Sequence, residues 1–239
     1  MLNISSSFQN SMRLFAVGDI HGCGTALETL LAALSLQEGD KLIGLGDYVN
    51  KGPETMDAVE QLIQLYDRGI LVPLLGNHEL QWKLAHQLWL PEHQQQELID
   101  RQTLNSYAPG GREGTLADIP ERHWRFIEEA CLAWLTTDNY VFVHANLDEQ
   151  KPLFDQPSSA LFWDKFNHPQ PHCSGKIMVC GHTPQRDGLP INLGHAICLD
   201  TAACEGQWLS CLDINSGEVW QANQRRQLRR LHIDSFLKN

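Results

Sequence analysis

The chain has 239 residues, with 18 Lys and Arg, 29 Asp and Glu and a formal net charge of −11. Its length fits one domain or a tightly packed pair, and 42% hydrophobic with 20% charged residues excludes a disordered or fibrous chain. The acidic balance argues against nucleic acid as a partner, because binding to phosphate backbones depends on Lys and Arg.

The seven cysteines are scattered without a CxxC pair, which disfavours a disulfide framework and a thiolate zinc site. No basic, apolar leader precedes Arg13 and no apolar run reaches 18 residues, so we expect no membrane segment and a cytoplasmic location. We expect a single domain over 1–239, whose polar residues 1–11 form a flexible arm.

The first half of the chain repeats one pattern: a short apolar run, a glycine with acidic or histidine residues, and a helical stretch. Buried strands that alternate with helices indicate βαβ units, with polar residues at the carboxyl ends of the strands. The sequence therefore predicts a mixed α/β domain. Its first strands are predicted at 13–17, 41–45 and 70–75, and the helices that follow them at 25–34, 54–66 and 80–90.

One further helix is predicted at 121–132, and after Asn139 the pattern changes to strands with little helix between them. The basic cluster lies in segment 223–239, which we expect to form a solvated helix or tail on the acidic body rather than a site for an acidic partner. The later strands are predicted at 140–143, 176–180, 195–200, 207–213 and 218–222, with a hairpin turn at 215–217.

Five short motifs end the apolar runs: GDIHG at 18–22, GDYVNKGP at 46–53, GNHE at 76–79, VHA at 143–145 and GHTP at 181–184. One Gly-Asp pair is usually a turn and one histidine usually a core residue, but their concentration after buried runs indicates a ligand set. Two carboxylates, one amide oxygen and three imidazoles suit two divalent transition-metal ions, with Asp47 as the natural bridge. The candidate ligands are Asp19, His21, Asp47, Asn77, His144 and His182.

This order of motifs resembles the calcineurin-like metallophosphoesterase superfamily, in particular its bacterial Ser/Thr protein phosphatases and symmetrical diadenosine tetraphosphatases. The resemblance implies a four-layer αββα sandwich and in-line attack of a metal-bridging hydroxide, with His78 as the general acid for the leaving oxygen. Mn²⁺ is the expected metal, with Fe and Zn as alternatives. By position, Asp19, His21 and Asp47 match the ligands of the first ion, and Asp47, Asn77, His144 and His182 those of the second.

Three substitutions, at Asn50, Lys51 and Leu75, separate this chain from the usual protein-phosphatase motifs, which read GDYVDRG and LRGNHE where this chain reads GDYVNKG and LLGNHE. Asn50 stands where an Asp usually orients the catalytic histidine, so we expect its amide oxygen to accept a hydrogen bond from His78 Nδ1–H. Lys51 stands where an Arg usually grips phosphate. Lys165 and Arg112 are further candidates for phosphate binding.

Three functions remain open at the level of the sequence. The leading hypothesis is a two-metal phosphoesterase that hydrolyses phosphomonoesters, most like a Ser/Thr (or Tyr) protein phosphatase acting on a phosphoprotein or a small phosphoester. The first alternative is a dinucleoside polyphosphate hydrolase. The second is a catalytically weak relative that uses the fold to bind a partner, and its metal content would distinguish it.

Overall fold

The computed structural model describes residues 13–88, 94 and 97–238. The strands in this part of the chain are β1 (Leu14–Val17), β2 (Lys41–Gly44), β3 (Leu71–Pro73), β4 (Trp134–Thr136), β5 (Tyr140–Val143), β6 (Ile177–Cys180), β7 (Ile191–Asn192), β8 (Ala196–Cys198), β9 (Leu209–Asp213), β10 (Glu218–Ala222) and β11 (Leu228–His232). They form two mixed sheets, ordered β11-β10-β9-β1-β2-β3 and β4-β5-β6-β8-β7.

Helices cover the first sheet and fill the connections between strands. Among the described residues, no helix is both long and apolar enough to span a bilayer. The α-helices are α1 (Gly24–Leu34), α2 (Thr55–Asp67), α3 (Asn77–Gln87), α4 (Arg101–Ser106), α5 (Glu121–Arg125) and α6 (Ser158–Phe162). A π-helical turn covers Phe126–Ala130, and 3₁₀ turns cover Pro109–Gly111, Leu116–Asp118, Leu153–Asp155, Ala203–Glu205 and Ile233–Phe236.

The first sheet buries both of its faces. Successive side chains of a strand point to opposite faces, so β1 divides its residues between two cores. Phe15 and Val17 share one core with Leu27 of α1. Ala16, between them, shares a second core with Phe142 of the other sheet. The first sheet is therefore packed between a layer of helices and the second sheet.

The second sheet is also covered on both faces. Phe142 of β5 faces the first sheet, whereas its neighbours Val141 and Val143 belong to a third core. That third core contains Leu161 and Phe162 of the short helix α6. The order of layers is helices, sheet, sheet, and a thin outer layer of α6 and loops, which confirms the mixed α/β fold and fits the expected four-layer sandwich.

Parallel pairing brings the functional loops to common edges. β1 pairs parallel with β2 and β2 with β3 in the first sheet, and β5 pairs parallel with β6 in the second. The loops at the carboxyl ends of parallel strands emerge at the same edge of a sheet. Four of the five motifs that predicted ligands follow these strands, and the fifth begins with the last residue of β5, so the topology collects their side chains.

Most predicted elements are present, with strands of equal or shorter length and the first three helices shifted by one to three residues. The helix predicted at 121–132 is α5 followed by the π-helical turn, and the expected hairpin turn joins β9 to β10. Three short strands, β4, β7 and β11, were not predicted. The arm expected at 1–11 and the last two residues of the helix predicted at 80–90 lie outside the described residues.

The helix or tail expected at 223–239 is wrong for most of this segment. Its residues form β11, which pairs antiparallel with β10, after a turn in which Asn223 Oδ1 accepts two backbone N–H groups at 3.0 and 3.1 Å. The basic side chains are not simply solvated, because guanidinium groups over tryptophan rings gain cation–π attraction. These pairs are Arg229 with Trp208 at 4.2 Å and Arg230 with Trp220 at 4.3 Å.

A buried histidine ties the middle of the chain to α2. His123 of α5 is 1% exposed, its Nε2–H donates to Glu60 of α2 at 3.2 Å, and Tyr107 donates to its Nδ1 at 3.0 Å. Both ring nitrogens are thus satisfied in the neutral form. Burial lowers the pKa of His123, although the nearby Glu60 carboxylate opposes that shift and the guanidinium of Arg122 adds to it.

We expect this histidine to make stability fall in acid. Below its ordinary pKa of about 6.5, His123 takes up a proton more readily in the unfolded chain than in the folded one, so lowering the pH through that value favours unfolding. His123→Gln should cost about 1–3 kcal/mol at pH 7 and lose less further stability between pH 7 and 5 than the wild type. Urea unfolding at both pH values tests this, and parallel losses in the two proteins would contradict it.

Candidate metal centre

The structure brings all six predicted ligand residues together at the edge where the two sheets meet. Every one of them is buried. Asp19 and His21 follow β1, Asp47 follows β2, Asn77 begins α3 after β3, His144 follows β5 and His182 follows β6.

One group of side chains is centred on Asn77. Its Oδ1 lies 3.0 Å from His144 Nε2 and 3.0 Å from His182 Nδ1. Asp47 Oδ1 lies 3.4 Å from the same His144 nitrogen. The ligand atoms of Asp47, His144 and His182 are within 4.8 Å of one another, a spacing that one ion could bridge. This group matches the set expected for the second ion.

A second group is centred on His21. Its Nε2 lies 3.3 Å from Asp47 Oδ2 and 3.9 Å from Asp19 Oδ2. Ligand atoms of His21, Asp47 and His78 also lie within 4.8 Å of one another. Asp47 therefore takes part in both groups, with one oxygen facing each, which is the arrangement expected of a bridging carboxylate.

The three imidazoles of the ligand set direct lone pairs into the centre. One nitrogen of each ring faces a backbone carbonyl, and because a carbonyl only accepts, that nitrogen carries the proton. The other nitrogen is then free to bind a cation, the usual arrangement of metal-binding histidines. The pairs are His21 Nδ1 with Val49 O at 2.8 Å, His144 Nδ1 with Leu45 O at 2.8 Å and His182 Nε2 with Trp163 O at 3.1 Å.

The electrostatics of the centre also favour a bound cation. Burial raises the pKa of Asp19 well above its ordinary value, and the carboxylates of Asp200 and Asp47 raise it further. Burial lowers the pKa of His182 to about 4, so its ring is neutral at pH 7. Clustered carboxylates and imidazoles that each turn one nitrogen inward are the donor set that divalent transition-metal ions prefer. The residues present therefore fit two such ions.

Tight backbone packing holds these loops together. His21, Asp47 and His182 have φ values of 44°, 52° and 65°, in the left-handed region that non-glycine residues seldom adopt. A Cβ at Gly181 would lie 2.0 Å from Asp19 Oδ1, and one at Gly76 would lie 2.3 Å from Asp47 Oδ1. Backbone strain of this kind concentrates at functional sites, and the two glycines permit the close approach.

Glu79 holds the loop that carries Asp47. Its buried carboxylate accepts backbone N–H groups of Asp47 at 2.8 Å, Tyr48 at 2.8 Å, Val49 at 3.3 Å and Gly76 at 2.9 Å. Burial raises the pKa of Glu79 to about 7, the Asp47 charge adds to the rise, and the N–H groups oppose it. In the sequence, Glu79 is identified only as part of the GNHE motif. Its role in holding the Asp47 loop could not be predicted, because its hydrogen-bond partners are backbone atoms.

The hydrogen bond between Asn50 and His78 runs opposite to the one expected from the sequence. Trp82 Nε1–H can only donate and lies 2.9 Å from Asn50 Oδ1, whereas the Leu98 carbonyl can only accept and lies 2.9 Å from Asn50 Nδ2. These two partners fix the carboxamide, so its N–H group donates to His78 Nδ1 at 2.9 Å. Neutral His78 consequently carries its proton on Nε2, which lies 3.9 Å from Asp47 Oδ2.

The three basic candidates for phosphate binding differ in position. Lys51 Nζ lies 2.8 Å from His21 Nε2, at the centre itself. Lys165 Nζ donates to the His182 carbonyl at 3.3 Å, beside the centre. Arg112 instead forms a bidentate ion pair with Asp118 on an exposed loop, and the contacts described for it join no residue of the centre.

We expect Glu79→Gln to weaken the metal centre. A carboxamide cannot accept with both of its terminal atoms, so it leaves at least one buried backbone N–H unpaired, at a cost of about 1–3 kcal/mol. Loss of a supporting group around ligands typically lowers metal affinity about 10–100-fold. Mn²⁺ titration and thermal unfolding measure both effects, with the exposed Glu38→Gln as control. Equal results for the two variants would show that Glu79 does not support the centre.

The chain has curated relatives that it matches over part of their length. It is 33% identical over 144 residues to a symmetrical bis(5'-nucleosyl)-tetraphosphatase of Nitrosospira multiformis, covering 57% of this chain and 44% of that protein. It is 46% identical over 70 residues to the protein of the same description from Acidovorax sp. (strain JS42), covering 29% of this chain and 24% of that protein. The matches thus span less than half of these relatives.

Solved structures share the fold over nearly the whole chain. A structure described provisionally as a diadenosine tetraphosphatase covers 96% of both chains, with a TM-score of 0.64 and 22% identity. A protein serine/threonine phosphatase from Saccharomyces cerevisiae covers all of this chain and 84% of its own, with a TM-score of 0.61 and 13% identity. A cold-active protein tyrosine phosphatase covers 95% and 80%, with a TM-score of 0.58 and 16% identity.

The sequence model of one family matches the part of the chain that contains every candidate ligand. That match, to the calcineurin-like phosphoesterases, extends over residues 12–201. With both sheets and the ligand loops in place, the chain belongs to the calcineurin-like phosphoesterase family.

Proposed function

We propose that the chain is a metal-dependent hydrolase of phosphoanhydride bonds, with a dinucleoside polyphosphate as substrate. In the reaction, the oxygen of water forms a new bond to phosphorus, the bridging P–O bond breaks, and both products leave as phosphates. Two divalent ions, held by Asp19, His21 and Asp47 and by Asp47, Asn77, His144 and His182, would activate the water and neutralise phosphoryl charge.

The observation that carries this proposal is the hydrogen bond from Asn50 to His78 Nδ1. The neutral ring offers its single N–H, on Nε2, to a leaving oxygen. Giving up that proton completely would leave an imidazolate, so His78 can donate a hydrogen bond but is a poor proton donor. An alkoxide leaving group, as in phosphoserine, needs a proton, whereas a nucleoside phosphate departs as a stable anion.

The relatives support the same substrate class, since those matched in sequence are described as symmetrical bis(5'-nucleosyl)-tetraphosphatases. This favours the first alternative drawn from the sequence over the protein-phosphatase hypothesis. The structural neighbours described as protein phosphatases are under 20% identical and indicate the fold alone. The position of Lys165 Nζ, which donates to the His182 carbonyl, supports a contact with the further phosphates of a polyphosphate chain.

A catalytically weak binding protein is a poorer fit to the centre. Such a protein has no need to keep buried carboxylates and oriented imidazoles together, which costs stability without a cation. The six residues, their supporting carbonyls and the Glu79 carboxylate are all in place. These features favour an active hydrolase that requires metal.

A substrate panel tests the proposal. With Mn²⁺ present, we expect kcat/KM for diadenosine tetraphosphate to exceed that for a phosphoserine peptide at least about 100-fold, the lower range of what general acid catalysis contributes. A chelator should abolish activity, and Mn²⁺ should restore it. Comparable turnover of the phosphopeptide would restore the protein-phosphatase hypothesis. No turnover of any substrate, despite bound metal, would favour the binding protein.

A second test concerns Asn50 directly. In Asn50→Asp, one carboxylate oxygen still accepts from Trp82, while the other accepts from His78 Nδ1–H and allows that ring to carry a second proton. We expect at least about tenfold faster hydrolysis of phosphomonoesters with alkoxide leaving groups, and little change with diadenosine tetraphosphate. Asp tolerates the φ of 66° at this position as Asn does. Equal or slower phosphomonoester hydrolysis at every pH from 6 to 9 would refute the assigned role.

A further inference from the structure

The ammonium group of Lys51 lies against a nitrogen that should bind metal. The contact is Lys51 Nζ to His21 Nε2, at 2.8 Å. His21 Nδ1–H donates to the Val49 carbonyl, and because an ammonium can only donate, Nε2 accepts the hydrogen bond from Lys51 with its lone pair. Lys51 therefore donates a hydrogen bond into the same lone pair that a metal ion would use.

An ion and this ammonium group cannot both occupy that position. A divalent transition-metal ion such as zinc binds an imidazole nitrogen at about 2.0–2.1 Å, on the same lone pair that holds Lys51 Nζ at 2.8 Å. Asp47 Oδ2 lies 3.3 Å from His21 Nε2, so the ammonium also sits beside the bridging carboxylate. Binding of the first ion requires Lys51 to leave His21.

Only the side chain of Lys51 is free to move. Its main chain has a φ of 70°, and its N–H donates to Asp100 Oδ2 at 2.7 Å. Asp100 is in turn fixed at the start of α4, where its Oδ1 accepts the N–H of Thr103 at 2.9 Å. Lys51 as a whole is an exposed residue. Displacement from His21 therefore moves a side chain that borders solvent, while its main chain stays fixed.

We propose that Lys51 stands in for the first metal ion in the metal-free protein, and that its transfer to a substrate phosphate couples metal binding to phosphate binding. A phosphate oxygen offers the displaced ammonium a charged acceptor. By linkage, phosphate then raises the affinity for the first ion, and the ion raises the affinity for phosphate by the same factor. The inference needs a metal centre and a phosphate ligand, but not a particular substrate.

Titration of the metal-free protein with Mn²⁺, followed by calorimetry and by the EPR signal of free Mn²⁺, tests the first part. If His21 is free of Lys51 for about a tenth of the time, the apparent affinity of the first site is reduced about tenfold. Lys51→Met and Lys51→Gln should therefore tighten the weaker of two binding steps about tenfold and leave the tighter step unchanged. Loss of that weaker step in a His21→Ala background would assign it to this site.

Lys165→Met is the matched control. Lys165 also brings a positive charge to the centre, but it donates to the carbonyl of His182 and not to a ligand nitrogen. The weaker step should be unchanged in this variant. An equal rise in Mn²⁺ affinity in Lys51→Met and Lys165→Met would show that the effect is only general repulsion between charges. Unchanged Mn²⁺ affinity in both Lys51 variants would overturn the proposal.

Inorganic phosphate tests the coupling. Saturating phosphate should raise the affinity of the weaker Mn²⁺-binding step in the wild type. It should change that affinity much less in Lys51→Met, which has no ammonium group to transfer to phosphate. The same enhancement in both proteins would contradict the coupling. Because these titrations involve no turnover, they can fail while the substrate panel succeeds, and the reverse also holds.

Discussion

The metal centre depends on one buried carboxylate that binds no metal. Glu79 accepts four backbone N–H groups, three from the loop after β2 and one from the residue before α3. Because an ionised carboxylate inside a protein is costly unless it is hydrogen-bonded, these contacts are mutually required. They fix the main chain of Asp47 against the start of α3, whose first residues are Asn77 and His78. Asp47, Asn77 and His78, the expected bridging ligand, amide ligand and general acid, therefore share one support.

The second requirement is accurate packing of the two sheets. Asp19, His21, Asp47 and Asn77 come from the first sheet, and His144 and His182 from the second, so distances of about 3 Å between them depend on how Ala16 and its neighbours meet Phe142. Close-packed interiors tolerate little displacement of this kind. Both oxygens of Asp19 accept the backbone N–H of His182, at 3.0 and 3.1 Å, and so join the sheets directly. The apolar core thus sets the geometry of the polar centre.

The sequence was sufficient to predict the fold and which side chains gather where the two sheets meet, since apolar runs ending in Gly-Asp or Gly-His identify strand ends whatever lies between them. It was not sufficient where a residue distant in the chain determines the orientation of a side chain or the secondary structure of a segment. The orientation of the Asn50 carboxamide follows from its hydrogen bonds to Trp82 and Leu98. No local sequence pattern reveals that the Trp82 indole donates to the Asn50 oxygen. Likewise, the two successive arginines of β11 predict a solvated segment. The sequence does not reveal that their guanidinium groups lie over the rings of Trp208 and Trp220. The sequence predicted Lys51 as a phosphate-binding residue but did not reveal its contact with His21, which lies beside two consecutive residues of positive φ, Asn50 and Lys51.

The distribution of ligands over both sheets has a consequence for the order in which the protein can assemble. The candidate ligands up to Asn77 follow strands of the first sheet, and His144 and His182 follow strands of the second. Strands β9 to β11, which come after the second sheet in the chain, complete the first sheet beside β1. Phe15 of β1 pairs with Asp213 of β9, so the strand that precedes Asp19 and His21 is enclosed only by a contact distant in the sequence. Such non-local strand pairings form slowly in folding, and the geometry of the candidate ligands therefore depends on a slow step of folding.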